Sequence, residues 1–160
     1  MQVRIARQPI VDHRLSVIGY ELLFRDAARK GPGEDDAARD AASSRLLLRG
    51  FVDGGSLSLC DGKPAFVNIP GGWIERGLAD CLPVDSVVLE VEASEGMSTS
   101  SMERLAQLRA DGFRVAIDRA GEFEDTAAFS RSADFIKVDA RRLGPGELEA
   151  VVAACPNSTV

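Results

Sequence analysis

Long apolar runs are missing from this chain: no stretch approaches the ~18 residues that a membrane-spanning helix needs, and the opening MQVRIARQPIVD has no apolar core of a secretory signal. Histidine is reduced to His13, which lies in a polar turn and reads as a solvated side chain. The three cysteines, Cys60, Cys81 and Cys155, are odd in number, widely spaced and without a second histidine. That excludes a zinc site of paired Cys and His and argues against a disulfide framework. Free thiols in a reducing compartment are the expectation, with the cytoplasm as the location. Positive charge is also short, since the formal net charge is −6 and aromatics make up only 6%. No Lys/Arg cluster interleaved with aromatics is present, so a nucleic acid polymer is not an expected partner, and an anionic ligand would have to be held locally. Fixed-period repeats and low-complexity tracts are absent as well.

What the chain does have is 45% hydrophobic and 28% charged residues over 160 positions, enough for one globular domain with a core. Five apolar, β-branched runs each deliver a polar residue at or near their end. They are VIGYELLFR with Glu21 and Arg25, AFVN with Asn68, VVLEVE with Glu90, VAID with Asp118, and FIKVD with Lys137 and Asp139. Short continuous apolar runs separated by helical segments read as buried parallel strands, whose carboxyl ends form the ligand crevice of α/β folds. A buried strand has no packing use for Asn, Glu or Asp, and each costs free energy unless it is paired or bound. Interstrand salt bridges or exposed strand ends would explain any one of these positions. Five together point to a site.

The first two strands, RIARQPIVD and SVIGYELLFR, are joined only through His13 and Arg14, which predicts an antiparallel hairpin. A helix is expected over residues 35–50, with acids at its start and Arg49 and Gly50 at its end. Next come a strand over 65–69, a short helix over 72–79 and a strand over 87–91. MSTSSMERLAQLRADG reads as a helix with Met102, Leu105 and Leu108 on one face and Gly112 past its end. FRVAID is a strand, EDTAAFSRS a short helix, DFIKVD a strand, PGELEAVVAAC a helix, and PNSTV the run into a further strand. This alternation predicts an α/β fold with a mostly parallel sheet. Six strands and the start of a seventh fall short of a closed eight-stranded barrel, which takes ~200–250 residues. An incomplete barrel fits better than an open sheet with a hairpin edge.

In order and spacing, QPIVD, GYELLFR, FVNI, LEVEA, AID and FIKVD resemble the EAL domain, the cyclic-di-GMP phosphodiesterase barrel of bacterial signalling. ARQPI and GYELLFR are typical wording of its branch in EAL–HDOD signalling proteins. The resemblance runs from about Arg4 onward and implies a TIM-type (β/α)8 barrel with an antiparallel first strand. Residues 1–160 would then be a single EAL-like domain, the N-terminal two thirds of the barrel, with no second domain in this chain. The chemistry implied is hydrolysis of cyclic-di-GMP to a linear dinucleotide by water activated between two divalent metals, Mg²⁺ or Mn²⁺. Glu21 stands at the family's metal-binding glutamate, with ELL in place of EAL. Asn68 and Glu90 match the next two metal ligands, and Asp118 the first aspartate of the family's DDFG segment. Lys137 matches the lysine that contacts the water held by the metals, and Gln8 and Arg25 match residues that hold the substrate phosphates. Glu21, Asp118 and Lys137 are thus the catalytic candidates. Asp139, also at a family position, is a secondary candidate, catalytic or bracing Lys137.

Two departures cut against catalysis. Arg119 replaces the second aspartate, and like charges ~4 Å apart repel by several kcal/mol at intermediate dielectric, so at least one metal should be lost. Ala93 replaces the glutamate that anchors the loop after the aspartate pair, and strand alternation sends the adjacent Glu92 to the opposite face from Ala93. Arg119 could contact a ligand phosphate directly; pairing with Glu90, Asp118 or Glu122 is the simpler reading. Trp73 is either packed on the barrel or part of a contact surface, the Leu46 to Leu48 stripe is core, and the acids at 34–36 cap the helix that follows. The expectation is a degenerate EAL-like module that binds cyclic-di-GMP or works through protein contacts without hydrolysis. One alternative is an active phosphodiesterase with Mg²⁺ or Mn²⁺. The other is a nucleotide-independent scaffold with no metal. An HDOD domain in the native protein and a homodimer are partners that the resemblance leaves open.

Overall fold

The computed structural model describes residues 3–26, 57–69, 71–92, 99–118, 131–139, 141–156 and 159. Among them, six strands form one sheet in chain order: β1 (Val3–Val11), β2 (Val17–Asp26), β3 (Ala65–Asn68), β4 (Val87–Glu92), β5 (Arg114–Asp118) and β6 (Phe135–Lys137). β1 is antiparallel to β2, and every later neighbour is parallel, which makes a mixed half-barrel. The hairpin is closed by Asp12, whose carboxylate accepts the N–H groups of Arg14 and Ser16 at 2.8 and 2.9 Å. Such local acceptors are what make Asp a turn former. His13 lies exposed in this turn.

The parallel strands are buried on both faces, and their side chains alternate between two layers. Phe66, Val88 and Ala116, with half-buried Ile10 and Phe135, form the inner layer. Val67, Leu89 and Ile117 point the other way, into the larger core that also takes Trp73, Leu105 and Leu108. Trp73 is fully buried, so it is a packing residue rather than a contact surface. Burying side chains of this size contributes about 1.5–3 kcal/mol each. Gly19 is required where β2 meets β3, because a Cβ there would lie 2.5 Å from the Phe66 ring and 2.8 Å from the Pro64 carbonyl oxygen.

Among the described residues the α-helices are α1 (Gly71–Glu75), α2 (Thr99–Ala110) and α3 (Pro145–Ala154). α1 packs on α2, whose Leu105 and Leu108 face the core as their spacing requires. The helix expected over 72–79 is instead two pieces, α1 and a 3-10 turn at Leu78–Cys81. Gly77 separates them with a left-handed φ of 68°, a conformation that a continuous helix cannot contain. α3 starts at Pro145, and the Glu147 carboxylate accepts the Gly144 N–H at 2.7 Å. The run into a seventh strand is present as a parallel bridge from Thr159 to Phe135 on the outer edge of β6. The helix expected over 35–50 with its leucine stripe, most of the one expected in EDTAAFSRS, Ala93 and Arg119 lie outside the described residues.

Candidate functional site

Strand register brings the polar strand residues to one face. Gln8 of β1 pairs with Glu21 of β2, and Asn68 of β3 with Glu90 of β4. Glu92 of β4 pairs with Asp118 of β5, which pairs with Lys137 of β6. Neighbours in register share a face, and residues two apart on a strand do too. Asn68, Glu90 and Asp118 therefore stand two positions beyond Phe66, Val88 and Ala116, on the inner layer. An edge-to-face contact between Phe66 and Phe135, with ring centroids 5.2 Å apart, closes the apolar floor under them.

Lys137 is the centre of the arrangement. Its Nζ donates to Glu21 Oε2 at 2.9 Å and to Glu90 Oε1 at 2.5 Å, and stands 3.8 Å from Asp118 Oδ1. The cluster is well withdrawn from solvent: side-chain exposure is 17% for Lys137, 14% for Glu21, 26% for Asp118 and 0% for Glu90. Burial raises the Glu90 pKa to about 7, against the opposing pull of Lys137, with Glu21 and Asp118 pushing it further up. Burial also works to lower the Lys137 pKa, but Glu90, Asp118 and Glu21 outweigh it, and the net shift is upward. Glu90 Oε2 is buried and has no hydrogen-bond partner among the described residues.

The other expected residues fall at varying distances from this centre. Asn68 is exposed at the rim, as is Gln8 on β1. Arg25 is on β2 in register with Arg4. Among the described residues the Asp139 carboxylate takes two hydrogen bonds from the Arg141 guanidinium at 2.8 Å each, which hold its pKa well below the usual carboxylate range, and none from Lys137. Glu92 was set aside in the sequence because it faces away from Ala93, yet that same alternation puts it on the face of Glu90 and Asp118. Its i+2 spacing from Glu90 was the signal that could have found it.

In kind, the oxygens of Glu21, Asn68, Glu90 and Asp118 fit a hard divalent cation such as Mg²⁺ or Mn²⁺, and the partnerless Glu90 Oε2 is a buried oxygen that such an ion would satisfy. In spacing, Glu21, Glu90 and Asp118 are gathered around an ammonium, while Asn68 lies at the exposed rim. No group of three His, Cys, Asp or Glu side chains among the described residues is arranged to hold an ion.

No family model matches the chain. Over 135 residues it is 29% identical to the Cyclic di-GMP phosphodiesterase CdgJ of Vibrio cholerae, which covers 84% of this chain and 30% of CdgJ. It is 28% identical over 118 residues to the uncharacterized protein YuxH of Bacillus subtilis, 74% of this chain and 28% of that protein. The chain thus spans about three tenths of the length of these relatives. Among solved structures it is similar to Klebsiella pneumoniae BlrP1 in a manganese and cyclic-di-GMP complex, with TM-score 0.69 and 23% identity over 96% of this chain and 46% of that one. It is also similar to the Bacillus subtilis YkuI protein, which has an EAL domain and is in complex with cyclic-di-GMP and calcium, with TM-score 0.64 and 21% identity over 94% of this chain and 44% of that one.

Proposed function

We propose that this chain, an EAL domain in fold and in its strand-end motifs, works as a degenerate signalling module that binds cyclic-di-GMP without hydrolysing it. The observation that carries this reading is Arg119, which stands where the family has its second aspartate and puts positive charge beside Asp118 in place of a ligand. Ala93 supports it by removing a loop anchor. Gln8 and Arg25 are the residues assigned to the ligand phosphates, with Arg119 as a third contact. Residues 1–160 act as one EAL-like unit, in the cytoplasm, where Cys60, Cys81 and Cys155 would stay outside disulfides as they are here.

A second reading, a metal-dependent phosphodiesterase giving linear pGpG, is favoured by the partnerless Glu90 Oε2 and by the likeness to CdgJ. In it, Glu21, Asn68, Glu90 and Asp118 would hold the cation, which when bound supplies Lewis-acid stabilisation of the phosphate. Lys137 would then orient the attacking water. Calorimetric titration of cyclic-di-GMP into the chain, first with Mg²⁺ and then with EDTA, separates the readings while chromatography follows linear product. Binding in both conditions with no product is the expected result. Product in Mg²⁺ would overturn it in favour of the phosphodiesterase, and no binding in either would leave a protein-interaction scaffold.

A further inference from the structure

The carboxyl ends of the parallel strands would receive an anionic ligand, yet the centre that stands there repels one. Glu21, Glu90 and Asp118 set three carboxylates against the single ammonium of Lys137, and Glu92 adds a further acid on the same face. Cyclic-di-GMP carries two phosphates, so its approach calls for cations at the rim of this centre. Lys137 is already engaged by Glu21 and Glu90. The loop between β6 and α3 supplies another cation. Arg141 lies four residues past Lys137, a reach of at most about 14 Å. The Arg142 N–H donates to the Asp139 carbonyl at 2.9 Å, so the chain turns back at this point instead of running on. Within the turn the Asp139 carboxylate accepts the Arg141 backbone N–H at 3.1 Å, and its two oxygens take Nε–H and Nη2–H of the guanidinium at 2.8 Å each. Arg142 Nε stands 3.7 Å from the same carboxylate, so one acid faces two guanidinium groups.

We propose that Arg141 is a further phosphate contact of the ligand site, with Asp139 as the positioning residue that presets its guanidinium. The grip of Asp139 is on one edge of the fork and uses two of its five N–H donors. That leaves the end-on edge, Nη1–H beside the second Nη2–H, a parallel pair that matches two oxygens of a phosphate. The Arg141 side chain is 87% exposed, so this edge is open to a ligand. An exposed ion pair contributes little to stability, but a fork fixed in advance lowers the ordering cost of binding. The inference rests on the reading that this chain binds cyclic-di-GMP, and it adds a contact outside the strands and apart from Arg119.

The test is calorimetric titration of cyclic-di-GMP in EDTA. Arg141→Met is expected to weaken binding about tenfold, and Arg141→Lys, which keeps the charge but not the fork, should recover only part of the loss. Asp139→Asn should weaken binding in the wild-type background and have no effect in Arg141→Met. A loss on Asp139→Asn that persists in Arg141→Met would overturn the role given to Asp139, and equal affinity in wild type and Arg141→Met would overturn the proposal. A second measurement needs no substitution: modification of arginines by phenylglyoxal, read by mass spectrometry, with exposed Arg14 in the hairpin turn at the opposite end of the sheet as reference. Saturating cyclic-di-GMP should slow modification of Arg141 and leave Arg14 unchanged. Unslowed Arg141 in a chain that binds the nucleotide would overturn this proposal alone, whereas a wild-type chain that binds none would overturn it together with the reading on which it rests.

Discussion

Glu90 is the residue on which most of the electrostatics of this molecule turns, being the only fully buried charged side chain among the described residues. Its pKa is raised from 4.5 to about 7, so the folded state holds a proton that the unfolded chain releases near the ordinary value. Stability from this group is therefore complete below pH 4.5 and lost as pH rises through about 7. The shift corresponds to about 3 kcal/mol. Lys137, whose pKa is raised above 10.5, stays charged in both states across that window and adds no slope. Urea midpoints measured from pH 4.5 to 7.5 are expected to fall with pH in the wild type, relative to Glu90→Gln, where the residue no longer titrates. Parallel curves for the two proteins would show that Glu90 ionises at its ordinary value. Glu90 was legible in the sequence as a polar residue in a run with no packing use for it. That its partner would be Lys137 was not, because pairing across the inner layer is a property of register.

At the scale of elements, Asp134 does most to place Lys137. It precedes β6 and takes the Arg109 guanidinium of α2 at 2.7 and 3.2 Å, together with the Val115 N–H of β5 at 2.8 Å. One half-exposed carboxylate thus fixes the end of a helix to the starts of two strands. Asp134→Ala is expected to cost more than Arg109→Ala, since only the former strands a backbone N–H, at about 1–3 kcal/mol. Their coupling in a double-mutant cycle should be about 1 kcal/mol or less, as for a partly exposed pair. Urea denaturation of the four proteins checks both, and equal single-mutant losses would remove the Val115 bond from the account. The elements themselves were largely legible. Hairpin, strands and α2 follow from periodicity and turn residues, with β4 running one residue further than expected. The break between α1 and the 3-10 turn was missed because Gly77 in a helical run reads as tolerated until its φ is known.

At the scale of the whole molecule, the sheet among the described residues has a deeply buried middle and a lightly covered hairpin side. All of β4 from Val87 to Val91 is buried, whereas most of β1 from Ala6 to Val11 is exposed. Hydrogen exchange should follow that gradient, with the amides of β3 to β5 most protected and the outer-edge amides of β1 exchanging first. Uniform protection from β1 to β6 would mean that the hairpin is covered in solution by something that the described residues do not include. The parallel order and the antiparallel first strand were legible at this scale because a short link permits only a hairpin and helices between strands permit only crossovers. The exposure of Asn68 was not, since a strand end and a strand interior read alike in sequence.

The salt bridge from Lys137 to Glu21 joins positions 116 apart, and the one to Glu90 spans 47. Contacts so distant along the chain are made only after the intervening loops have closed and their entropy has been lost. The charged centre is therefore expected to form late in folding. Substitutions within it are then expected to speed unfolding more than they slow folding, so that they govern how long the assembled molecule lasts, and paired folding and unfolding rates of Glu90→Gln check this.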